Sequence, residues 1–164
     1  MTDSVETTAD GNAIKTVAVV DPHATGTKIL GLKRAVLDDI GKLVLRVGFG
    51  LAMMTHGWAK AMGFEGTVGF MDGMLGLPGM VNAALAVAAE LGCSILLIVG
   101  LGTRLATIPL IFTMGVALFV VHLNDAWDKQ EKAVLYLIAY VAILCIGPGR
   151  IAIDHLIRRE RETS

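Results

Sequence analysis

Four long apolar runs, separated by short polar or glycine-rich connections, organise this chain. They extend over about Leu43 to Met62, Met80 to Leu101, Leu105 to Leu123 and Ala133 to Ile146. A helix needs about 20 apolar residues to cross roughly 30 Å of hydrocarbon. The first three runs meet that length, and the fourth does so only if Asp128 to Lys132 adds a turn. Gly102-Thr103-Arg104 is a tight turn, Asn124 to Lys132 a polar loop, and Pro109 falls in the first turns of the third run. Gly147-Pro148-Gly149 stops the fourth run, because proline disfavours helix in the residue before it. The connection between the first two runs carries Gly63, Gly66, Gly69, Gly73 and Gly76 and ends at Pro78-Gly79. Phe64, Val68, Phe70, Met71, Met74 and Leu75 within it predict a partly buried interfacial segment rather than a free loop.

Ahead of these runs, Ile29, Leu32, Val36, Leu37 and Ile40 recur at helical spacing, with Lys33, Arg34, Asp38 and Asp39 on other faces. That pattern predicts an amphipathic helix along the inner membrane surface, leading directly into the first span. Met1 to Thr27 shows no sustained period and is expected to be disordered. The predicted fold is all-α, a transmembrane four-helix bundle with an amphipathic juxtamembrane helix. Its parts are a disordered extension (1–27), an interfacial helix (28–42), the bundle (43–147) and a cytoplasmic tail (148–164).

Composition agrees with this picture. The 164 residues are 54% hydrophobic and 18% charged, with a mean hydropathy of +0.66. Soluble domains average about 45–50% apolar and about 25% charged. A net charge of −1 argues against a nucleic-acid partner. Met1 to Asp10 is acidic and lacks the basic and apolar regions of a secretory signal, so the first span is expected to direct insertion. Cys93 and Cys145 lie in apolar runs and read as packing residues, not as a disulfide.

Basic residues set the expected orientation. Lys28, Lys33, Arg34, Lys42 and Arg46 precede the first span, Arg104 joins the second and third, and Arg150, Arg158, Arg159 and Arg161 follow the fourth. The opposite connections offer only Lys60, Lys129 and Lys132. Both termini are therefore expected on the cytoplasmic side of the cell (inner) membrane. Ala84, Ala88 and Gly92, and Gly48 with Ala52, form small-residue stripes expected to bring helices close. The same stripes would also serve a homo-oligomer.

An ionisable group inside a membrane is costly and usually functional. Glu90, near the middle of the second span, reads either as a structural carboxylate or as a ligand, proton carrier or quinone-site residue. His56 and His122 lie near the outer ends of the first and third spans, and Lys60 stands one turn beyond His56. Glu90, His56, Lys60 and His122 can therefore cluster in the outer half of the bundle. In the plainer alternative Lys60 snorkels to the headgroups and His122 caps a helix end. Arg104 shares a face with His122, five turns away at the inner end, where Arg46, Arg104 and Arg150 form a ring suited to topology and phosphate binding. Arg46 enters the apolar run and needs a partner. Two histidines at similar depth also raise haem ligation, disfavoured because Glu90 is the one obvious supporting carboxylate. No nucleotide-binding glycine motif, cysteine-based metal motif or nucleophile elbow occurs.

These residues together resemble the DoxX family of small bacterial and archaeal membrane proteins. The matching pieces are Arg46, His56-Gly57 with Lys60, Ala89-Glu90-Leu91-Gly92 and Gly100-Leu101-Gly102-Thr103-Arg104. They continue with Val121-His122-Leu123 and Gly147-Pro148-Gly149-Arg150-Ile151-Ala152-Ile153-Asp154. The resemblance covers about Asp39 to Leu156. It implies a membrane subunit linked to quinone-dependent oxidoreductases, or a membrane partner of thiol- and superoxide-detoxifying enzymes. If quinone chemistry carries over, Glu90 and His56 match as catalytic proton-exchange residues. His56, Glu90, Arg104 and His122 then match as quinone-binding candidates, with a structural role the alternative for Arg104 and His122, and no metal site is implied.

Three functions compete. One is a redox subunit with a quinone and proton site among its helices, taking electrons from a soluble or membrane redox partner. Another is a non-catalytic anchor or assembly subunit docking a soluble enzyme. The third, a small carrier using Glu90, is weakest because the four helices hold few polar residues.

Overall fold

The computed structural model of the chain describes residues 22–163. The expected disorder of residues 1–21 lies outside the described residues. The elements are α1 (Pro22–Met62), α2 (Phe64–Met71), a 3-10 turn (Met74–Gly76), α3 (Gly79–Val99), α4 (Thr103–Val121), α5 (Trp127–Ile146) and α6 (Ile153–Thr163). No strand occurs among the described residues. The fold is all-α, as the periodicity predicts. The chain divides between Arg34 and Ala35 into two compact units. The first contributes the opening turns of α1, and the second holds the remaining helices.

Two boundaries differ from expectation. α1 begins at Pro22, so residues 22–27 are helical. α5 starts at Trp127, which converts most of the expected polar loop into helix and makes the helix that carries the fourth apolar run 20 residues long. Glycine-rich residues 63–79 form α2 and the 3-10 turn, consistent with a structured interfacial segment.

The inward face of α1 is a seam of Arg46, Gly50, Met53 and Gly57, all buried, continued by partly buried Lys60. Its steps of four and three residues keep the seam facing a neighbouring helix. Leu37, Val44, Leu51 and Trp58, seven apart, are exposed on another face. On α3 the buried positions include Ala83, Ala86, Ala89, Glu90, Ser94 and Leu97. Met53, Leu97, Leu110, Met114, Tyr140 and Ile143 form the core, where α4 packs along α5 and against α3. The Tyr140 hydroxyl donates to the Phe49 carbonyl at 3.3 Å and ties α5 to α1.

The close approach of α1 to α3 occurs at Gly50 and Gly57. A Cβ on Gly57 would stand 2.7 Å from the Leu91 nitrogen and 2.8 Å from the Glu90 carbonyl carbon. The expected stripes do not make these contacts: Gly48 and Gly92 meet nothing within 4 Å, and Ala52, Ala84 and Ala88 are exposed. Small residues occur on more than one face of each helix. The face is chosen by the charged residue that cannot point to lipid, Arg46 on α1 and Glu90 on α3.

α3 and α4 are long and apolar enough to cross a membrane. Only 39% and 22% of their apolar windows are buried inside the fold. Leu85, Ile95, Leu105, Ile108, Phe112 and Phe119 face outward on these two helices, and Leu135, Ile138 and Val141 do so on α5. A water-soluble helix pair of this hydropathy would bury those faces. The chain is a membrane protein.

One end of the fold is a knot of backbone hydrogen bonds. Arg46, 2% exposed, donates to the carbonyls of Pro148 at 2.9 Å and Ile151 at 2.7 Å. Its guanidinium lies against Gly100, whose φ of +76° and absent side chain admit it. The Asp154 carboxylate accepts from the backbone N–H groups of Gly102 at 2.6 Å and Thr103 at 2.9 Å, capping α4 from a distant segment. Burial alone would raise the Asp154 carboxyl. The N–H groups of Thr103 and Gly102, with the Arg46 charge, outweigh burial and hold it below its ordinary value.

Two predictions follow from this packing. Gly57→Ala forces Cβ into α3 backbone and should lower stability by about 1–3 kcal/mol. Gly48→Ala meets open space and should stabilise by about 0.5–1 kcal/mol through its helix preference. Thermal unfolding in detergent compares the two. Asp154→Asn should cost about 1–3 kcal/mol at neutral pH by weakening two charge-assisted hydrogen bonds. Because the folded carboxyl is depressed, its contribution is complete above the ordinary carboxylate range and is lost as pH falls through the lowered value. The unfolding curves of wild type and Asp154→Asn should therefore converge in acid. A difference that persists there contradicts the assignment.

Candidate functional site

Glu90 lies in a π-helical stretch of α3, Ala88–Cys93. Such a stretch inserts a residue into the helical repeat and re-aims its side chains, a device common at functional sites. Glu90 is 1% exposed. Lys60, in the last turn of α1, donates its ammonium to both carboxylate oxygens. Lys60 thus turns inward, not to the headgroups as the plainer sequence expectation had it. An isolated buried carboxylate is far costlier than a paired one. The approach of α1 to α3 at Gly57 brings Lys60 within reach.

Two cavities meet at this pair. The larger, about 530 Å³, lies among α2, the 3-10 turn, α3 and α4. Its walls include Phe70, Met71, Met74, Leu85, Phe112 and Val116, and Lys60, Glu90, Asn82 and His122 are polar in it. Phe70, Leu85 and Phe112 are exposed, so the mouth opens on the apolar outer face. Asn82 is buried, and its amide nitrogen faces the carbonyls of Met71, Met74 and Leu77 at 3.0, 2.6 and 3.1 Å, bracing one wall. The Asp72 carboxylate accepts from the Gly79 N–H at 2.7 Å and closes the same connection.

The smaller cavity, about 160 Å³, is more polar. His56, Tyr136, Lys129 and Lys132 line it, and it shares Lys60, Glu90, Ala117 and His122 with the larger one. His56 and Tyr136 meet edge to face with ring centroids 5.7 Å apart, and Tyr136 stacks on Tyr140 at 6.0 Å. Glu90, Lys60 and His122 therefore face both an apolar compartment and a polar one.

The structure brings Glu90, Lys60, His56 and His122 to one end of the fold, as the spacing allows. His122 directly follows a second π-helical stretch, Ala117–Val121. Its Nδ1 lies 2.8 Å from Asp125 Oδ2, so it pairs at a helix end while lining both cavities. The hydrogen bond with His122, opposed by slight burial and aided by Lys129, holds the Asp125 carboxyl below its ordinary value. Arg104 sits at the other end of α4, with Nη2 3.5 Å from the Cys145 carbonyl, and takes no part in this cluster. Tyr136, Asn82, Lys129 and Lys132 were not legible as site residues. Lys129, Lys132, Tyr136 and Tyr140 recur at helical spacing, a signal that appears only once α5 is extended back to Trp127. Among the described residues no group of three or more His, Cys, Asp or Glu is placed to hold a metal.

The pair can be tested by its coupling. Lys60→Met strands a buried carboxylate and should lower stability by about 3–5 kcal/mol unless Glu90 takes up a proton. Lys60→Met/Glu90→Gln removes both charges and should recover much of that loss. Unfolding of both variants and of Glu90→Gln gives the double-mutant cycle, and additive losses would contradict the pairing.

Known proteins place this geometry in context. The DoxX family model matches residues 41–123. "Inner membrane protein YqjF" of Escherichia coli (strain K12) is 30% identical over 131 residues, covering 76% of this chain and 97% of that protein. "Putative oxidoreductase CatD" of Bacillus subtilis (strain 168) is 32% identical over 120 residues, covering 73% and 88%. "Inner membrane protein YphA" of Escherichia coli (strain K12) is 33% identical over 124 residues, covering 68% and 86%. No solved structure matches the chain. The matched span carries Arg46, His56, Lys60, Glu90, Arg104 and His122, and on this footing the chain belongs to the DoxX family.

Proposed function

We propose that this protein is the membrane subunit of a quinone-linked redox system, with a quinone and proton site at Glu90. In this reading α1, α3, α4 and α5 each span the inner membrane, with both termini cytoplasmic. The observation that carries the site is an apolar cavity, rimmed by exposed Phe70, Leu85 and Phe112, ending on Lys60 and the buried Glu90. Its volume falls in the usual range for small-ligand pockets, about 300–1,000 Å³. A hydrophobic ring with polar carbonyl oxygens suits such a cavity, its ring against Phe112 and Val116 and an oxygen near Lys60. The relative named as an oxidoreductase supports redox chemistry of this class.

Reduction of a quinone takes up two electrons and two protons. The electrons come from a redox partner protein. Glu90 relays the protons, each taken up by its carboxylate from the polar side and passed to a ligand oxygen, Lys60 orients and balances the carboxylate, and His56 and His122 serve the polar side. Tyr136 holds the His56 ring in place.

Decylubiquinone binding to the purified protein in nanodiscs, read by quenching of tryptophan fluorescence, tests occupancy. Ala86→Phe projects a ring into the cavity and should abolish binding. Glu90→Gln should retain binding while quinone turnover with the native partner falls about 100-fold or more. Absence of quinone from the purified protein and from the binding assay, with unchanged turnover in Glu90→Gln and an intact complex, would instead establish the anchor function. A visible spectrum with haem bands would redirect the assignment to His56 and His122.

A further inference from the structure

A cavity of about 530 Å³ lies at the opposite end of the fold from Glu90, among the start of α4, the Gly147–Gly149 turn and α6. Arg104, Arg158, Arg161 and His155 line it. Among the described residues the one acid in its wall is Asp154, whose oxygens already accept from the N–H groups of Gly102 and Thr103. The cavity therefore presents an excess of positive charge. Its remaining wall is apolar: Leu105 and Ile146 are exposed where α4 begins and α5 ends, and Ile157 stands beside Arg158. Positive charge on one side and apolar surface on the other meet at the boundary of the apolar belt.

Arg104 is well placed for an anion. Its guanidinium makes one long contact to a carbonyl, which leaves most of its five donors for a ligand. Gly147, at φ +78°, places no side chain there, and a Cβ would stand 3.3 Å from Arg104 Nη2. Arg158 and Arg161 are three residues apart on α6 and face the same cavity. Arginine forks bind phosphate oxygens in pairs, and basic pockets at helix ends suit acidic lipid headgroups.

We infer that this cavity binds an anionic glycerophospholipid, its phosphate held by Arg104, Arg158 and Arg161 and its chains leaving along Leu105 and Ile146. The site is independent of the quinone assignment. A bound lipid bridges α4, the turn after α5 and α6, and so joins the charged tail to the membrane-embedded helices.

Native mass spectrometry of the full-length protein in detergent, titrated with phosphatidylglycerol or phosphatidylcholine, tests it. Phosphatidylglycerol should bind at least about tenfold more tightly, the equivalent of one charge-assisted contact. Arg104→Gln/Arg158→Gln should erase that preference while phosphatidylcholine binding is unchanged. Arg161→Gln, in the exposed tail helix, should weaken the preference without touching the bundle. Lys129→Gln/Lys132→Gln, which removes equal charge at the other end, should leave it intact. Equal binding of the two lipids, or an equal loss in the lysine variant, would overturn the site. Displacement of phosphatidylglycerol by millimolar inorganic phosphate would overturn the lipid assignment in favour of a free phosphate ligand.

Discussion

A carboxylate enclosed by apolar helices must be matched, and Glu90 is matched by Lys60 from a helix 30 residues earlier. That constraint reaches well beyond the pair. It selects the face of α1 that turns inward, because Lys60 lies on the seam of Arg46, Gly50, Met53 and Gly57. It requires α1 and α3 to approach at backbone distance, which only glycine permits at position 57. It also coincides with the π-helical stretch that re-aims α3 at this depth. Both cavities reach the pair that this approach brings together.

The two ends of the fold satisfy their buried charges in different ways. Arg46 and Asp154 use backbone carbonyls and N–H groups, partners that cannot titrate or swing away. That end behaves as a fixed knot holding the α3–α4 turn to the segment after α5. Glu90 has instead a flexible lysine, with histidines and a tyrosine lining the adjoining cavity. Side-chain partners can exchange protons and accommodate a ligand. The proposed exchange chemistry therefore suits the Glu90 end, whereas Arg104, on the knotted end, takes no part in that cluster.

Much of the fold was legible because lipid allows few solutions. Apolar runs of spanning length, the stop at Gly147-Pro148-Gly149 and the cost of Arg46 and Glu90 all follow from the hydrocarbon as solvent. The candidate cluster of Glu90, His56 and His122 followed from counting helical rise. What escaped depended on rotation and register. Ala84, Ala88 and Gly92 form as good a stripe as the buried residues, and nothing local marks them as outward. The π-helical stretches depend on packing and leave no sequence signature. Lys60 could equally reach outward or inward, and the deciding fact, Gly57 against the Glu90 backbone, is a long-range contact. Asn124 to Lys132 looked like loop because its polar residues mask a helix start that Trp127 begins.

The arrangement of the cavities carries the redox proposal one step further. A quinone reaches its site through lipid, whereas protons come from water, and a subunit serving both must keep the routes apart. Here the apolar cavity is rimmed by exposed Phe70, Leu85 and Phe112, and the polar one is lined by His56, Lys129 and Lys132. Glu90 and Lys60 form the partition between them. If a proton passes from the Lys60 ammonium through the Glu90 carboxylate to a ligand, the pair is left with one net negative charge in surroundings that penalise net charge. The imbalance is relieved by a proton arriving from the polar side, where His56 and His122 stand. A pair whose charges cancel and which lines two compartments thus suits the proposed proton delivery better than a lone carboxylate.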